Sequence, residues 1–229
     1  MPLIELKNVS KIYRTGNLEV AALTELSLTF ESGEFAVLAG PSGSGKTTAL
    51  NLIGCLDRPT SGHVLHAGQE MGQANPKQLA NFRLQHIGFI FQSYNLIPVL
   101  TAAENAEFTL MLRGVSHAQR RERISRLFGE LGISGLENRK PSDLSGGQQQ
   151  RVAIARAMAA EPHVILADEP TANLDSHTAE DLLALMRRLN RERQTTFLFS
   201  SHDDRVISQA RRVIRLEDGR LSEDTGPLR

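Results

Sequence analysis

The string GPSGSGKT at residues 40–47 constrains this chain more than any other feature, because it satisfies G-x-x-x-x-G-K-[ST] and stands between an apolar run and a helical pattern. Residues 35–39 are apolar throughout and follow Gly33, as expected of a buried strand, and a helix is predicted to start near Lys46. A strand, a glycine loop and a helix in that order build a phosphate cradle. Gly40, Gly43 and Gly45 let the backbone curl around Pro41, Ser42 and Ser44 so that successive N–H groups face inward, and the helix N-terminus adds positive potential. Lys46 then reaches the β- and γ-phosphates, and Thr47 supplies a hydroxyl to a Mg2+ ion bridging phosphate oxygens. The bare pattern arises by chance in roughly one percent of chains this long, so a simple glycine-serine turn is the weaker explanation. Nucleotide binding follows.

A second glycine motif, LSGGQ at 144–148, precedes QQRVAIARAMA, whose apolar and alanine content suits a helix beginning near Gly147 or Gln148. Ser145 offers a hydroxyl there, and Gly146 and Gly147 expose backbone N–H groups, which again favours a phosphate. The apolar run 164–167 reads as another buried strand and ends at Asp168 and Glu169. Asp168 is placed to hold Mg2+ directly or through water, and Glu169 to orient or deprotonate an attacking water. A third run, 196–199, ends at Ser200, Ser201 and His202, and helical pattern over 179–189 lies between the two strands, with Asp175 as a candidate N-cap.

Strands that deliver polar residues at their C-terminal ends, separated by helices, indicate an α/β fold with a parallel sheet. Alternating apolar residues from Leu3 to Phe30 predict additional strands with one buried face. Between Gln92 and Gly146 the pattern turns helical, notably over 100–112 and 119–131, which reads as an inserted helical lobe. The predicted division is a nucleotide-binding core of 1–91 and 151–229, carrying the N-terminal β subdomain, with a helical subdomain at 92–150. Residues after Gly219 are expected to form a loose tail.

Lys+Arg and Asp+Glu balance at 26 each, so no global basic field draws the chain onto nucleic acid or an anionic membrane. Arg120, Arg121, Arg123 and Arg126 cluster, but Glu122 and Glu130 interleave with them, and a solvated helix face is expected. The lone Cys55 excludes an intramolecular disulfide and is expected to be buried. His63 and His66 lack metal-ligand companions. No secretory signal and no bilayer-spanning apolar run is expected, so any membrane role must come through a partner.

Taken together, these motifs resemble the ABC ATPase family over about four fifths of the chain, from Tyr13 to His202. The resemblance implies a P-loop NTPase core with an N-terminal antiparallel β subdomain and an inserted helical subdomain. It makes Tyr13 the aromatic that stacks on adenine and extends the Walker A loop from Gly40 to Thr48. Gln92 becomes the glutamine sensing Mg2+ and the attacking water, and Ser145, Gly146, Gly147 and Gln148 the signature. Asp168 ends the Walker B strand, Glu169 is the catalytic carboxylate, Asn173 to Asp175 form the D-loop, and His202 is the switch histidine contacting the γ-phosphate. ATP and Mg2+ are the implied ligands, with Lys46, Gln92, Glu169 and His202 carrying catalysis.

CLDRPTSG at 55–62, IGFIFQSYNLIPVLTAAEN at 87–105 and LADEPTANLD at 166–175 are similar to the lipoprotein-releasing and macrolide-exporting ATPases and a related cell-division ATPase, although Ala172 stands where that subgroup usually has glycine. The resemblance further implies an ATP-dependent homodimer, with each ATP between the Walker A loop of one subunit and the LSGGQ of the other. Its partner is a membrane permease in a separate chain with a large extracytoplasmic domain, which places this chain in the cytoplasm on the inner face of the membrane. The segment around Gln92 to Glu104 and the following helical lobe are the expected docking surface, on the strength of the apolar Leu96, Ile97, Val99 and Leu100, with packing of these residues inside the lobe as the alternative. Other readings are a regulatory ATPase driving a permease-like cell-division or cell-wall partner, and a non-transport ABC ATPase. The second of these would need long coiled coils or a second cassette, which 229 residues do not hold.

Overall fold

A computed structural model describes residues 1–16 and 18–226. Along the chain run β1 (Ile4–Thr15), β2 (Leu18–Phe30), β3 (Phe35–Ala39), α1 (Lys46–Ile53), β4 (Ser61–His66), β5 (Gln69–Glu70), α2 (Pro76–His86) and β6 (Ile87–Ile90). There follow α3 (Ala102–Leu112), α4 (His117–Glu130), α5 (Gly146–Ala159), β7 (Val164–Asp168) and α6 (Ser176–Arg193). The last elements are β8 (Thr196–Ser201), α7 (Asp204–Ile207), β9 (Arg212–Glu217) and β10 (Arg220–Asp224). Two compact units divide these elements, one formed by Met1–Arg83 with Thr196–Arg229 and the other by Leu84–Thr195. The fold is α/β, with parallel and antiparallel sheets.

In the first unit β1 pairs antiparallel with both β2 and β4, and β5 closes that sheet against β4. Alternation over 3–30 buries Ile4, Leu6, Val9, Leu23, Leu26, Leu28 and Phe30. β3 lies between β8 and β9, parallel to each. All five residues of β3 are buried, which is why it reads as an unbroken apolar run rather than an alternating one. Phe35 packs against Phe197 and Phe199 with ring centroids 5.8 and 5.0 Å apart, so β3 and β8 are joined by aromatic contact as well as by their ladder. Cys55 is buried as expected, and burial pushes its thiol up to about 11. Buried His66 bonds the carbonyl of Ile53 at 2.8 Å, a structural role.

The residues after Gly219 are not a loose tail: β10 pairs antiparallel with β9, and only 227–229 lie outside the described residues. Its five residues are all exposed, so no apolar alternation marks it. The available signal was Asp218-Gly219, both at positive φ, the dipeptide of a tight hairpin turn. Arg212, 6% exposed, clips the hairpin with Asp224 at 2.9 and 2.7 Å and also donates to Glu34 and to the Thr29 carbonyl. A fully desolvated guanidinium is stable only when so surrounded.

In the second unit β6 and β7 pair in parallel, and α5 packs against β6, α3 and α4. Gly88 in β6 is required by that packing, since a Cβ there would lie 2.6 Å from the Ala157 carbonyl oxygen of α5. The segment 92–150, expected to be helical, holds α3, α4 and the start of α5. Along α4 three arginines of the basic cluster are ion-paired, Arg120 with Glu107, Arg123 with Glu161 and Arg126 with Glu122.

Candidate nucleotide site

The phosphate loop links β3 to α1 within the first unit, and its backbone is one that side chains would obstruct. Gly40, Gly43 and Gly45 have φ of 147°, 82° and 99°. A Cβ on Gly45 would stand 2.6 Å from the Ala22 carbonyl oxygen and 2.8 Å from Leu23, so that glycine is set by β2 as well as by its dihedral. Lys46, the first residue of α1, is 7% exposed, and its Nζ donates to the carbonyls of Gly40 and Pro41 at 2.7 and 2.9 Å. The Ser44 hydroxyl oxygen is buried and has no hydrogen-bond partner among the described residues. An ammonium curled onto loop carbonyls and an orphaned hydroxyl at the N-terminus of α1 fit a phosphate group, which would satisfy both. Pro41, Ser42 and Thr47 are exposed, and Thr48 is half-buried.

Tyr13, 40% exposed on β1, belongs to the same unit. Its hydroxyl donates to Asp57 at 2.9 Å and hydrogen-bonds the Thr48 side chain, while Lys11 Nζ lies 4.9 Å from the ring centroid. Lys11 also bonds Asp57 at 2.7 Å. Partial burial works against the Asp57 carboxylate, but hydrogen bonds from Lys11, the Arg58 amide and Tyr13 outweigh it and hold its pKa below the usual value. The aromatic ring is therefore fixed at its edge and on one face. Sequence reasoning missed Lys11 and Asp57. The i, i+2 spacing of Lys11 and Tyr13, which sets both on one strand face, was the only local clue. His202 is exposed immediately after β8, also in the first unit.

The second unit carries the remaining predicted residues. Asp168 closes β7, and Glu169 follows at φ 47°, an uncommon conformation for a residue with a Cβ. Such strain concentrates where a side chain must be aimed. Ser145 caps α5 in a reciprocal box: its hydroxyl accepts from Gln148 N at 3.3 Å, and the Gln148 side chain accepts from Ser145 N at 2.9 Å. The helix thus starts at Gly146. Gly146 and Gly147 also admit neighbours, because a Cβ would lie 2.8 Å from the Tyr94 hydroxyl at the first and 2.7 Å from Thr178 at the second. Asp175 caps α6, accepting from the Thr178 amide at 3.0 Å and hydroxyl at 2.7 Å, and these bonds keep its pKa low. Exposed Gln92 offers its backbone carbonyl to Asn173 at 2.9 Å.

The profile of the family described as ABC transporter matches residues 23–172, about two thirds of the chain. This chain belongs to the ABC transporter family. It is similar to the macrolide export ATP-binding/permease protein MacB of Hyphomonas neptunium, 47% identical over 98% of this chain and 35% of that protein. The corresponding MacB 2 protein of Aeromonas hydrophila is 48% identical over the same shares. The chain thus spans about a third of the length of these curated relatives. Among solved structures it is similar to the ATP-binding cassette MJ0796, in a dimeric post-hydrolysis state bound to ADP and Pi, with 43% identity, 99% of each chain covered and a TM-score of 0.90. Among the described residues no helix is long and apolar enough to cross a membrane.

Proposed function

We propose that this chain binds and hydrolyses ATP as a head-to-tail homodimer and drives a membrane permease for export, lipoprotein release or mechanical signalling across the membrane. The observation that carries the reading is the phosphate loop, with its three left-handed glycines, orphaned Ser44 hydroxyl and Lys46 at the N-terminus of α1, in a chain of ABC transporter sequence. Lys46 leaves the loop carbonyls for the β- and γ-phosphates, Glu169 accepts the proton of the attacking water, and His202 and Gln92 orient the γ-phosphate and that water. Thr47, Asp168 and Gln92 each offer an oxygen donor of the kind Mg2+ takes, and the ion would neutralise phosphate charge. Ser145, Gly146, Gly147 and Gln148 serve the ATP of the opposite subunit.

Tyr13 contributes stacking to the base, so Tyr13→Ala is expected to raise KM for ATP by about tenfold while changing the single-turnover rate at saturation by no more than about twofold. Steady-state and single-turnover phosphate release measure the two quantities. A large loss in the saturated rate would instead tie Tyr13 to the chemical step.

The permease docks on the segment after Gln92, at the inner face of the membrane. Val99 is 75% exposed, and Leu96, Ile97 and Leu100 are only half-buried, an apolar surface beside the loop that senses nucleotide. Val99→Glu is expected to leave basal ATP turnover within about twofold and to weaken co-purification of the permease at least about tenfold, as a charge in an apolar interface core does. Undisturbed co-purification and transport in that variant would remove the docking surface from this segment.

A further inference from the structure

The ten residues from Gln92 to Thr101 form no regular strand or helix, yet side chains hold their backbone at Gln92, Tyr94, Asn95, Ile97, Leu100 and Thr101. Asn173 donates to the Gln92 carbonyl. Asn105, fully buried on α3, accepts from Ile97 N at 2.7 Å and donates to the carbonyls of Ile97, Leu100 and Thr101. Between these two anchors lie Tyr94 and Asn95, consecutive residues with φ of 60° and 49°. A left-handed pair without glycine is uncommon, and here it carries local bonds from Tyr94 N to the Phe91 carbonyl at 3.1 Å and from Asn95 N to the Ser93 carbonyl at 2.6 Å. Arg156, in the last turn of α5, adds a constraint from outside the loop: its two terminal nitrogens donate to the carbonyls of Tyr94, at 2.8 Å, and Asn95. Both acceptors are main-chain carbonyls, so the planar fork recognises the shape of this turn. The Tyr94 hydroxyl meanwhile abuts Gly146 at the opposite end of the same helix.

We propose that Arg156 is a positioning residue for the loop that begins at Gln92. By gripping the left-handed turn two residues beyond Gln92, it makes the signature helix α5 and the loop move as one body, so that a displacement of LSGGQ is felt at Gln92. The proposal rests on the ATP-hydrolysis reading for its consequence in turnover but not for the grip itself. Because Arg156 does not reach nucleotide in this role, its loss acts on the rate of the chemical step through Gln92 and spares ATP affinity.

Arg156→Met keeps the aliphatic stem and removes the fork. In the full chain without nucleotide, amide hydrogen exchange over 93–97 is expected to rise by about tenfold or more, with β3 and α6 unchanged. With ATP and Mg2+, kcat is expected to fall by about tenfold and KM to stay within about twofold. Arg156→Lys keeps the charge at the end of α5 but not the fork, and is expected to change both quantities in the same direction by less. It also serves if the methionine variant does not fold. Unchanged exchange over 93–97, a rise spread evenly across the protein, or a change in KM alone would overturn the proposal. A wild-type chain that releases no phosphate would overturn the hydrolysis reading instead, and the exchange measurement would still decide whether Arg156 holds the turn.

Discussion

Lys46→Ala is expected to give a folded protein whose ATP turnover is lower by at least about a hundredfold, because a fixed charge aimed at transferring phosphate is worth several kcal/mol in the transition state. The structure adds a consequence for the nucleotide-free protein. Lys46 Nζ bonds two loop carbonyls, so its removal frees the carbonyls of Gly40 and Pro41 and lowers stability by roughly 1–3 kcal/mol, short of unfolding an α/β core that Lys46 does not build. Circular dichroism with thermal melting reads the second effect, and phosphate release reads the first. A folded Lys46→Ala protein that hydrolyses ATP at the wild-type rate would remove the phosphate-loop argument altogether.

Why the loop was legible and other parts were not follows from the range of the interactions involved. Gly40, Gly43, Gly45 and Lys46 act through local backbone geometry, so eight consecutive residues carried the whole inference. β3 was legible for a similar reason, since all five of its buried positions are apolar, and β8 was legible from Phe197, Leu198 and Phe199, its Thr196, Ser200 and Ser201 being buried polar residues. β10 was read as a tail because a strand exposed on both faces leaves no apolar signature, and its stabilising contact runs from Arg212 to Asp224. The LSGGQ glycines were read as exposing N–H groups, whereas they also make room for Tyr94 and Thr178, residues far along the chain. Arg156 and Asn105 escaped notice because each acts on main-chain carbonyls, which any residue could supply. Polar side chains that organise loops through backbone atoms leave no pairing pattern in a single sequence.

Glu169→Gln is expected to bind ATP, hydrolyse it at least about a hundredfold more slowly, and accumulate as a dimer that wild type forms only transiently. The amide matches the carboxylate in shape but accepts no proton, so water activation is lost while phosphate binding is kept. It also keeps the backbone demand at this position, because glutamine adopts the 47° φ of Glu169 no more and no less readily than glutamate. Loss of a negative charge near the γ-phosphate relieves repulsion in the closed state as well. Ser145→Arg in the same background tests which surface meets that phosphate. Ser145 is exposed, and arginine there loses the hydroxyl that caps α5, a local cost of about 1 kcal/mol that leaves the packed residues of the helix in place. The bulky side chain then stands where the opposite subunit's nucleotide would enter, and the double variant is expected to remain monomeric with ATP bound. Size-exclusion chromatography with and without ATP separates the cases. An ATP-bound Glu169→Gln protein that stays monomeric at micromolar concentration would count against the sandwich for this chain on its own, and a dimer that survives Ser145→Arg would show that the phosphate loop and LSGGQ do not meet across it.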